Sequence, residues 1–246
     1  MVFFLTGGSR GVGAGLVRGL VLAGHDVAFT YRTGQPEAEA LVAELQIAAP
    51  QVRCAAFALD VRDPAAVDRV GDAVLDAFES VDAVVCNAGV NQDDLAVRMS
   101  DEAWRQVIDT NLTGSFFVAR KFLPEFLGAR RGRFIFVSSI AQRGISGQAN
   151  YAASKGGLVG LSAALAKEYG KRGITSNVLV LGVFDTGMAS ASLSPDYAEF
   201  TDRFTPAGRR GTPEDVVGSV LYLASDGASF VTGQEIGVNG GLEWGP

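Results

Sequence analysis

The sequence predicts a doubly wound α/β fold, a parallel sheet of about seven strands with helices on both faces. Three observations carry this. Short, near-continuous apolar runs recur along the chain, as strands buried on both faces of a parallel sheet require. Helix-length segments separate them. A glycine-rich turn follows the first run directly and opens the first helix. The strand candidates, in order, are Val2–Thr6, Asp26–Tyr31, Val52–Leu59, Asp82–Cys86, Arg133–Ser138, Thr175–Leu181 and Gln234–Val238.

The first helix is expected over Val12–Ala23, between the first two strands. Asp63-Pro64 and Thr212-Pro213 each read as a helix N-cap followed by Pro at the first helical position. Ser100 caps another start, and Asp101 and Glu102 put acid in its first turn, where the helix dipole favours it. A long helix is expected from Tyr151 to Gly170. The least regular stretch is Gly182–Arg210, rich in Gly and Ser and long enough for a functional lid. With 246 residues, 48% of them apolar, a single domain over 1–246 is expected, carrying a substrate lid around 183–210.

Composition narrows the function. The net charge is −6, from 21 basic and 27 acidic residues, whereas a nucleic-acid binder normally carries a basic surplus. No apolar run approaches the ~18 residues of a membrane span, and the first residues read as a strand, not a signal peptide. Cys54 and Cys86 form neither a disulfide framework nor a CxxC pair, and His25 is the single histidine, so no metal site is expected. These features suit a cytoplasmic enzyme.

In the glycine-rich turn Thr6-Gly-Gly-Ser-Arg-Gly-Val-Gly13, glycines at 7, 11 and 13 let the backbone turn sharply and approach a pyrophosphate. Gly7, Ser9, Arg10, Gly11, Val12 and Gly13 are the expected cradle, with the helix dipole behind it. A carboxylate at the end of the second strand would bind a ribose 2′-hydroxyl and repel a 2′-phosphate. Here that strand ends in Tyr31-Arg32-Thr33, without an acid. Arg32, with Arg10 on the other side, suits a phosphate. NADPH is therefore the expected cofactor.

Tyr151 and Lys155 are four apart on a helix, on one face. A nearby ammonium favours phenolate, so the pair makes an acid able to protonate an alkoxide as hydride arrives. Lys155 can also donate to the nicotinamide ribose.

This set of motifs resembles the short-chain dehydrogenase/reductase family, with its Rossmann fold, from Thr6 to Gly241. The resemblance rests on the Gly-x-x-x-Gly-x-Gly spacing, Asp60-Val61, Asn87-Ala88-Gly89, Asn111, Tyr151-x-x-x-Lys155 and Val238-Asn-Gly-Gly241. Within the family, Asp94–Met99, Gly147–Tyr151 and Arg172–Thr175 resemble β-ketoacyl-acyl-carrier-protein reductases. The resemblance implies that Asp60 accepts from the adenine amino group, that Val61 packs on the ring, and that Asn87 faces the cofactor. It implies nicotinamide contacts from the segment Val183–Thr186, through Phe184 and Thr186. It makes Asn111 the fourth catalytic residue, holding a water that links Lys155 to solvent. It offers two candidates for the catalytic serine. Gap-free comparison of the strand favours Ser139, while counting back from Tyr151 gives Ser138. Cys86 stands where the family often has Asn, and Leu181 where it has Pro.

The expected activity is NADPH-dependent reduction of a 3-ketoacyl thioester, carried by acyl carrier protein, in fatty-acid or polyketide biosynthesis. The alternatives are a reductase of free small carbonyls and a non-catalytic NADPH-binding sensor. Arg130 and Arg172 are the expected docking cations for the carrier, on a basic rim near the cleft. A homotetramer or homodimer is expected from the resemblance.

Overall fold

The computed structural model describes residues 1–186 and 195–243. Seven parallel strands form one sheet: β1 (Val2–Leu5), β2 (Asp26–Tyr31), β3 (Cys54–Ala58), β4 (Ala83–Cys86), β5 (Gly132–Ser139), β6 (Ile174–Leu181) and β7 (Glu235–Val238), in the order β3-β2-β1-β4-β5-β6-β7. Each expected strand is present, with its ends within two residues of the expected ones. The helices are α1 (Gly11–Leu22), α2 (Gln35–Ala48), α3 (Pro64–Phe78), α4 (Asp101–Ile108), α5 (Gly114–Ala129), α6 (Ala149–Tyr169), α7 (Pro195–Phe204) and α8 (Glu214–Ala224).

Side chains alternate across each strand, so β1 feeds two cores. Phe3 and Leu5 enter one, with Leu16 and Leu20 of α1, Leu41 and Leu45 of α2, and Val216 and Val220 of α8. Val2 and Phe4 enter the other, with Val74 and Phe78 of α3, Phe122 and Phe126 of α5, and Leu158 and Leu165 of α6. Both faces of the central sheet are therefore dry, which is why most strands read as near-continuous apolar runs; the edge strands β3 and β7 are partly exposed. Phe122 has no exposed surface and packs tilted against Phe4, ring centres 4.7 Å apart; truncating a side chain placed so costs about 3–5 kcal/mol.

The caps follow the sequence at two helices of three. Asp63 accepts the Ala65 N–H at 2.9 Å, and Ser100 accepts the Ala103 N–H at 3.1 Å. At α8 the expected start moves by one residue. Pro213 itself is the cap, and Asp215 in the first turn reaches back to accept the Thr212 N–H at 2.7 Å.

The expected irregular stretch Gly182–Arg210 contains regular structure, since α7 lies inside it; residues 187–194 of that stretch are outside the described residues. Phe184 bridges Gly211, and the Gly211 N–H donates to the Val183 carbonyl at 2.9 Å, so the two ends of this stretch are pinned together. Among the described residues, no helix is long and apolar enough to cross a membrane.

The chain winds outward from β1 in one direction and then from β4 in the other. This switch opens a crevice at the carboxyl ends of the strands, the place where such sheets bind ligands.

Candidate active site

A cleft of about 580 Å³ lies at that switch point. Gly7, Ser9, Arg10, Gly11, Val12, Gly13, Tyr31, Arg32, Asp60, Val61, Asn87, Ala88, Gly89, Tyr151, Lys155, Phe184 and Thr186 all line it, as do Ser138 and Ser139.

The turn after β1 is shaped by its glycines and by Asn87. Gly7 has φ +72°, a conformation that side chains resist, and a Cβ on Gly13 would stand 2.0 Å from the Gly7 carbonyl. Asn87 Nδ2 donates to the carbonyls of Thr6 (3.0 Å) and Gly7 (2.9 Å). Thr6 Oγ1 in return accepts the N–H groups of Asn87 and Ala88. The ends of β1 and β4 are thereby locked together under the turn. Arg10 precedes α1 with extended backbone and its side chain makes no capping bond, which leaves the first-turn N–H groups of α1 facing the cleft. A close-packed glycine cradle in front of a helix N-terminus fits a pyrophosphate.

Cations collect at one end. Arg10 Nη2 donates to Thr33 Oγ1 at 3.0 Å, and exposed Arg32 lies on the same wall. Asp60 has a partner that sequence reasoning missed. Arg62 grips its carboxylate (Nη2 to Oδ2 2.6 Å, Nε to Oδ1 2.9 Å) and holds it below the usual carboxylate range. Oδ1 also accepts the Arg62 backbone N–H at 3.0 Å, so a ligand at this carboxylate would share it with Arg62. The Asp-x-Arg spacing was the available signal.

At the other end, Tyr151 and Lys155 sit on the first turns of α6. Lys155 is 4% exposed, and burial pushes its ammonium down to about 8. Its Nζ donates to the Val137 carbonyl at 2.7 Å and lies 5.6 Å from the Tyr151 ring centre. Cys86 packs in the core beneath, its thiol pushed up to about 12 by burial.

Strand alternation separates the two serines. Ser138 is buried against α6, its hydroxyl 2.7 Å from Gln142 Oε1 and 3.1 Å from the Lys155 carbonyl. Ser139 is half-buried; its Oγ accepts the Ala141 N–H at 3.2 Å, and its own proton has no acceptor among the described residues.

Asn111 lies in a wide π-helical turn, Asp109–Thr113, between α4 and α5; such turns concentrate at functional sites. It is fully buried, with Oδ1 on the Val90 N–H (2.8 Å) and Nδ2 on the Val90 carbonyl (2.9 Å) and Ser154 Oγ (3.0 Å). Its amide stands behind the cleft. A Cβ on Gly89 would meet Asn111 Oδ1 at 3.3 Å and Lys155 Nζ at 3.4 Å, so the two groups converge behind that glycine.

Two further residues escaped sequence reasoning. Asn150, fully buried, donates to the Gln92 carbonyl at 2.9 Å, and Gln148 donates to Asp93 at 2.9 Å. They tie the loop after β4 to the start of α6, next to Tyr151. No short-range spacing marks either.

The expected basic rim is not where it was placed. Arg130 follows α5 and Arg172 precedes β6, both at the amino ends of strands. The cleft is at the carboxyl ends, and eight residues of β5 span roughly 23 Å. Within one chain, neither arginine borders the cleft. Arg131 and Arg133 approach Asp226 at 3.1 and 3.5 Å.

Comparison with known proteins bears on the whole chain. A family model described as enoyl-(acyl carrier protein) reductase matches residues 7–243. The chain is 37% identical over 242 residues to the 3-oxoacyl-acyl-carrier-protein reductase of Escherichia coli strain K12, covering 98% of this chain and 96% of that protein. It is 39% identical over 239 residues to the protein of the same name from Staphylococcus aureus strain Mu50, covering 97% and 96%. With the Staphylococcus epidermidis protein of strain ATCC 12228 it shares 39% identity over 239 residues, covering 97% of each.

Proposed function

The chain belongs to the short-chain dehydrogenase/reductase family, and from that premise we propose that it uses NADPH to reduce the 3-keto group of an acyl thioester to the 3-hydroxyl. The observation that carries this reading is the layout of one cleft, with Arg10 and Arg32 at one end and Tyr151, Lys155 and Ser139 at the other. The two arginines and the absent acid after β2 favour a 2′-phosphate, hence NADPH over NADH. The glycine cradle would hold the pyrophosphate, Asp60 and Val61 the adenine, Lys155 the nicotinamide ribose, and Phe184 and Thr186 the nicotinamide end.

When bound, the nicotinamide supplies hydride to the carbonyl carbon. The chain orients the ketone and handles charge and proton. The Ser139 and Tyr151 hydroxyls hold the ketone oxygen, and their bonds strengthen as negative charge grows there. Tyr151 then gives that oxygen its proton, and the Lys155 ammonium stabilises the phenolate left behind. Asn111 and Lys155 flank the space behind Gly89, where a water returns a proton from solvent.

The full-length relatives, named for 3-oxoacyl-acyl-carrier-protein reduction, support a carrier-bound substrate in fatty-acid biosynthesis, with polyketide assembly the neighbouring case. A cytoplasmic homo-oligomer fits this reading, and exposed Trp104, Phe116, Tyr222 and Phe230 offer apolar surface for one. Arg130 and Arg172 lie away from the cleft of their own chain, so they would reach an acidic carrier there only from a neighbouring subunit.

Loss of NADPH absorbance is followed with a 3-ketoacyl thioester on acyl carrier protein, a 2-enoyl thioester on the same carrier, and free ketones. Turnover of the first with little of the others supports the reading. Preference for the enoyl thioester would make the chain a carbon–carbon double-bond reductase, and equal turnover of free ketones a small-carbonyl reductase. No loss with any substrate would point to an NADPH sensor. Arg130→Glu with Arg172→Glu should raise KM for the carrier-bound substrate alone, increasingly so at low salt.

A further inference from the structure

A line of hydrogen bonds runs from the edge of the sheet to the residue that bears the site's ammonium. Glu235, exposed on edge strand β7, accepts from Gln142 Nε2 at 2.5 Å. Gln142 Oε1 accepts from the Ser138 hydroxyl at 2.7 Å, and that hydroxyl is also 3.1 Å from the Lys155 carbonyl. The one Ser138 proton goes chiefly to Gln142, the shorter contact, and the Lys155 carbonyl has at most a share of it, while Lys155 Nζ is tied to β5 by the Val137 carbonyl.

Gln142 belongs to the single turn Ile140–Arg143, which starts directly after Ser139. An amide is the neutral side chain with a donor and an acceptor at its tip. The Glu235 carboxylate only accepts, so it draws Nε2 and leaves Oε1 facing Ser138. Arg143 adds a weaker tie from the same turn to Glu243 at 3.7 Å. Ser139 presents its hydroxyl from the first residue before this turn, so whatever fixes the turn fixes Ser139.

We propose that Gln142, oriented by Glu235, is a positioning residue. It holds Ser138 and the turn Ile140–Arg143 so that Ser139 and Lys155 keep their places in the cleft. The proposal rests on the reductase reading for its kinetic consequence. Small misplacements of reacting groups can lower rates up to about a hundredfold, and a slackened turn should lower kcat about tenfold.

The test uses Gln142→Leu, which keeps bulk and removes both polar atoms, and Glu235→Ala and Glu235→Gln at an exposed position that the fold tolerates. Hydrogen exchange of the 139–149 amides is measured on the cofactor-free protein. Gln142→Leu and Glu235→Ala should exchange at least tenfold faster than wild type. Glu235→Gln, whose carbonyl still accepts, should match wild type. This readout stands even if no keto substrate is turned over, so it separates this proposal from the reductase reading. With a keto substrate, Gln142→Leu should lower kcat about tenfold, with the NADPH dissociation constant within twofold of wild type. In the Ser139→Ala background it should lower kcat no further. Unchanged exchange overturns the proposal. So does a loss in kcat that adds in full to that of Ser139→Ala, or one matched by equal loss of NADPH affinity. If Gln142→Leu does not fold, the Glu235→Ala and Glu235→Gln pair decides by the same criteria.

Discussion

Replacing Lys155 by Met should separate the chemical need for this ammonium from its burden on the fold. Lys155 is 4% exposed, and burial brings its ammonium from 10.5 to about 8. That gap corresponds to a folding penalty of about 3 kcal/mol at neutral pH. The bond from Nζ to the Val137 carbonyl, 2.7 Å long, returns part of it; a bond from a charged donor contributes about 1.5–3 kcal/mol. The two effects nearly cancel at pH 7. Lys155→Met should therefore unfold within about 1 kcal/mol of wild type, where losses at buried positions commonly reach about 2–5 kcal/mol. The pH dependence gives the sign. Between about pH 8 and 10.5 the unfolded chain holds a proton on Lys155 that the folded chain has released, so wild-type stability rises with pH across that window. The Met variant lacks this rise. Urea unfolding of both cofactor-free proteins from pH 7 to 10 should show wild type gaining up to about 3 kcal/mol on the variant. Parallel curves, or a variant already several kcal/mol weaker at pH 7, would refute the claim that Lys155 is held as a strained buried cation.

The other expectations concern chemistry and cofactor choice. Arg32→Asp should reverse the NADPH preference toward NADH, since a carboxylate there repels a 2′-phosphate and accepts from a hydroxyl; dissociation constants for both cofactors check it, and unchanged NADPH affinity would show that Arg32 plays no part. Ser139→Ala should lower kcat about 100-fold or more, the scale of a lost donor to a developing oxyanion, while Ser138→Ala loses about tenfold or less. The reverse order would transfer the role to Ser138. Because Lys155 loses its charge above about 8, kcat/KM should decline on the alkaline side of that value; a flat profile through pH 9.5 would contradict its role in tuning Tyr151.

Most strands were legible because both faces of the central sheet are buried, so they read as near-continuous apolar runs, although edge strand β7 is half exposed. Tyr151 and Lys155 were legible because their spacing is a property of one helix. The orientation of Ser138 and Ser139 was not, since a count along the chain cannot say which side of β5 a residue faces; the contact of Ser138 with the Lys155 carbonyl shows that its hydroxyl is turned toward α6. Helix α7 was hidden among the Gly, Ser and Pro of its flanks. Arg62 was visible in the Asp-x-Arg spacing, but Asn150 and Gln142 act through partners that local patterns do not reveal, and Gln142 and Glu235 are 93 positions apart. Arg130 and Arg172 are a different case. In a parallel sheet the residue before a strand lies at the edge opposite the cleft, so the strand assignments already contained their distance from it.

Tyr151 is where the account is most exposed, because it is the one group asked to give a proton to the reduced carbonyl. Turnover of a 3-ketoacyl thioester on its carrier and the NADPH dissociation constant are measured side by side in wild type and Tyr151→Phe. The account predicts an NADPH affinity within about twofold and a turnover lowered about 100-fold or more, the scale of a lost acid–base group. Wild-type turnover in the Phe variant would contradict it.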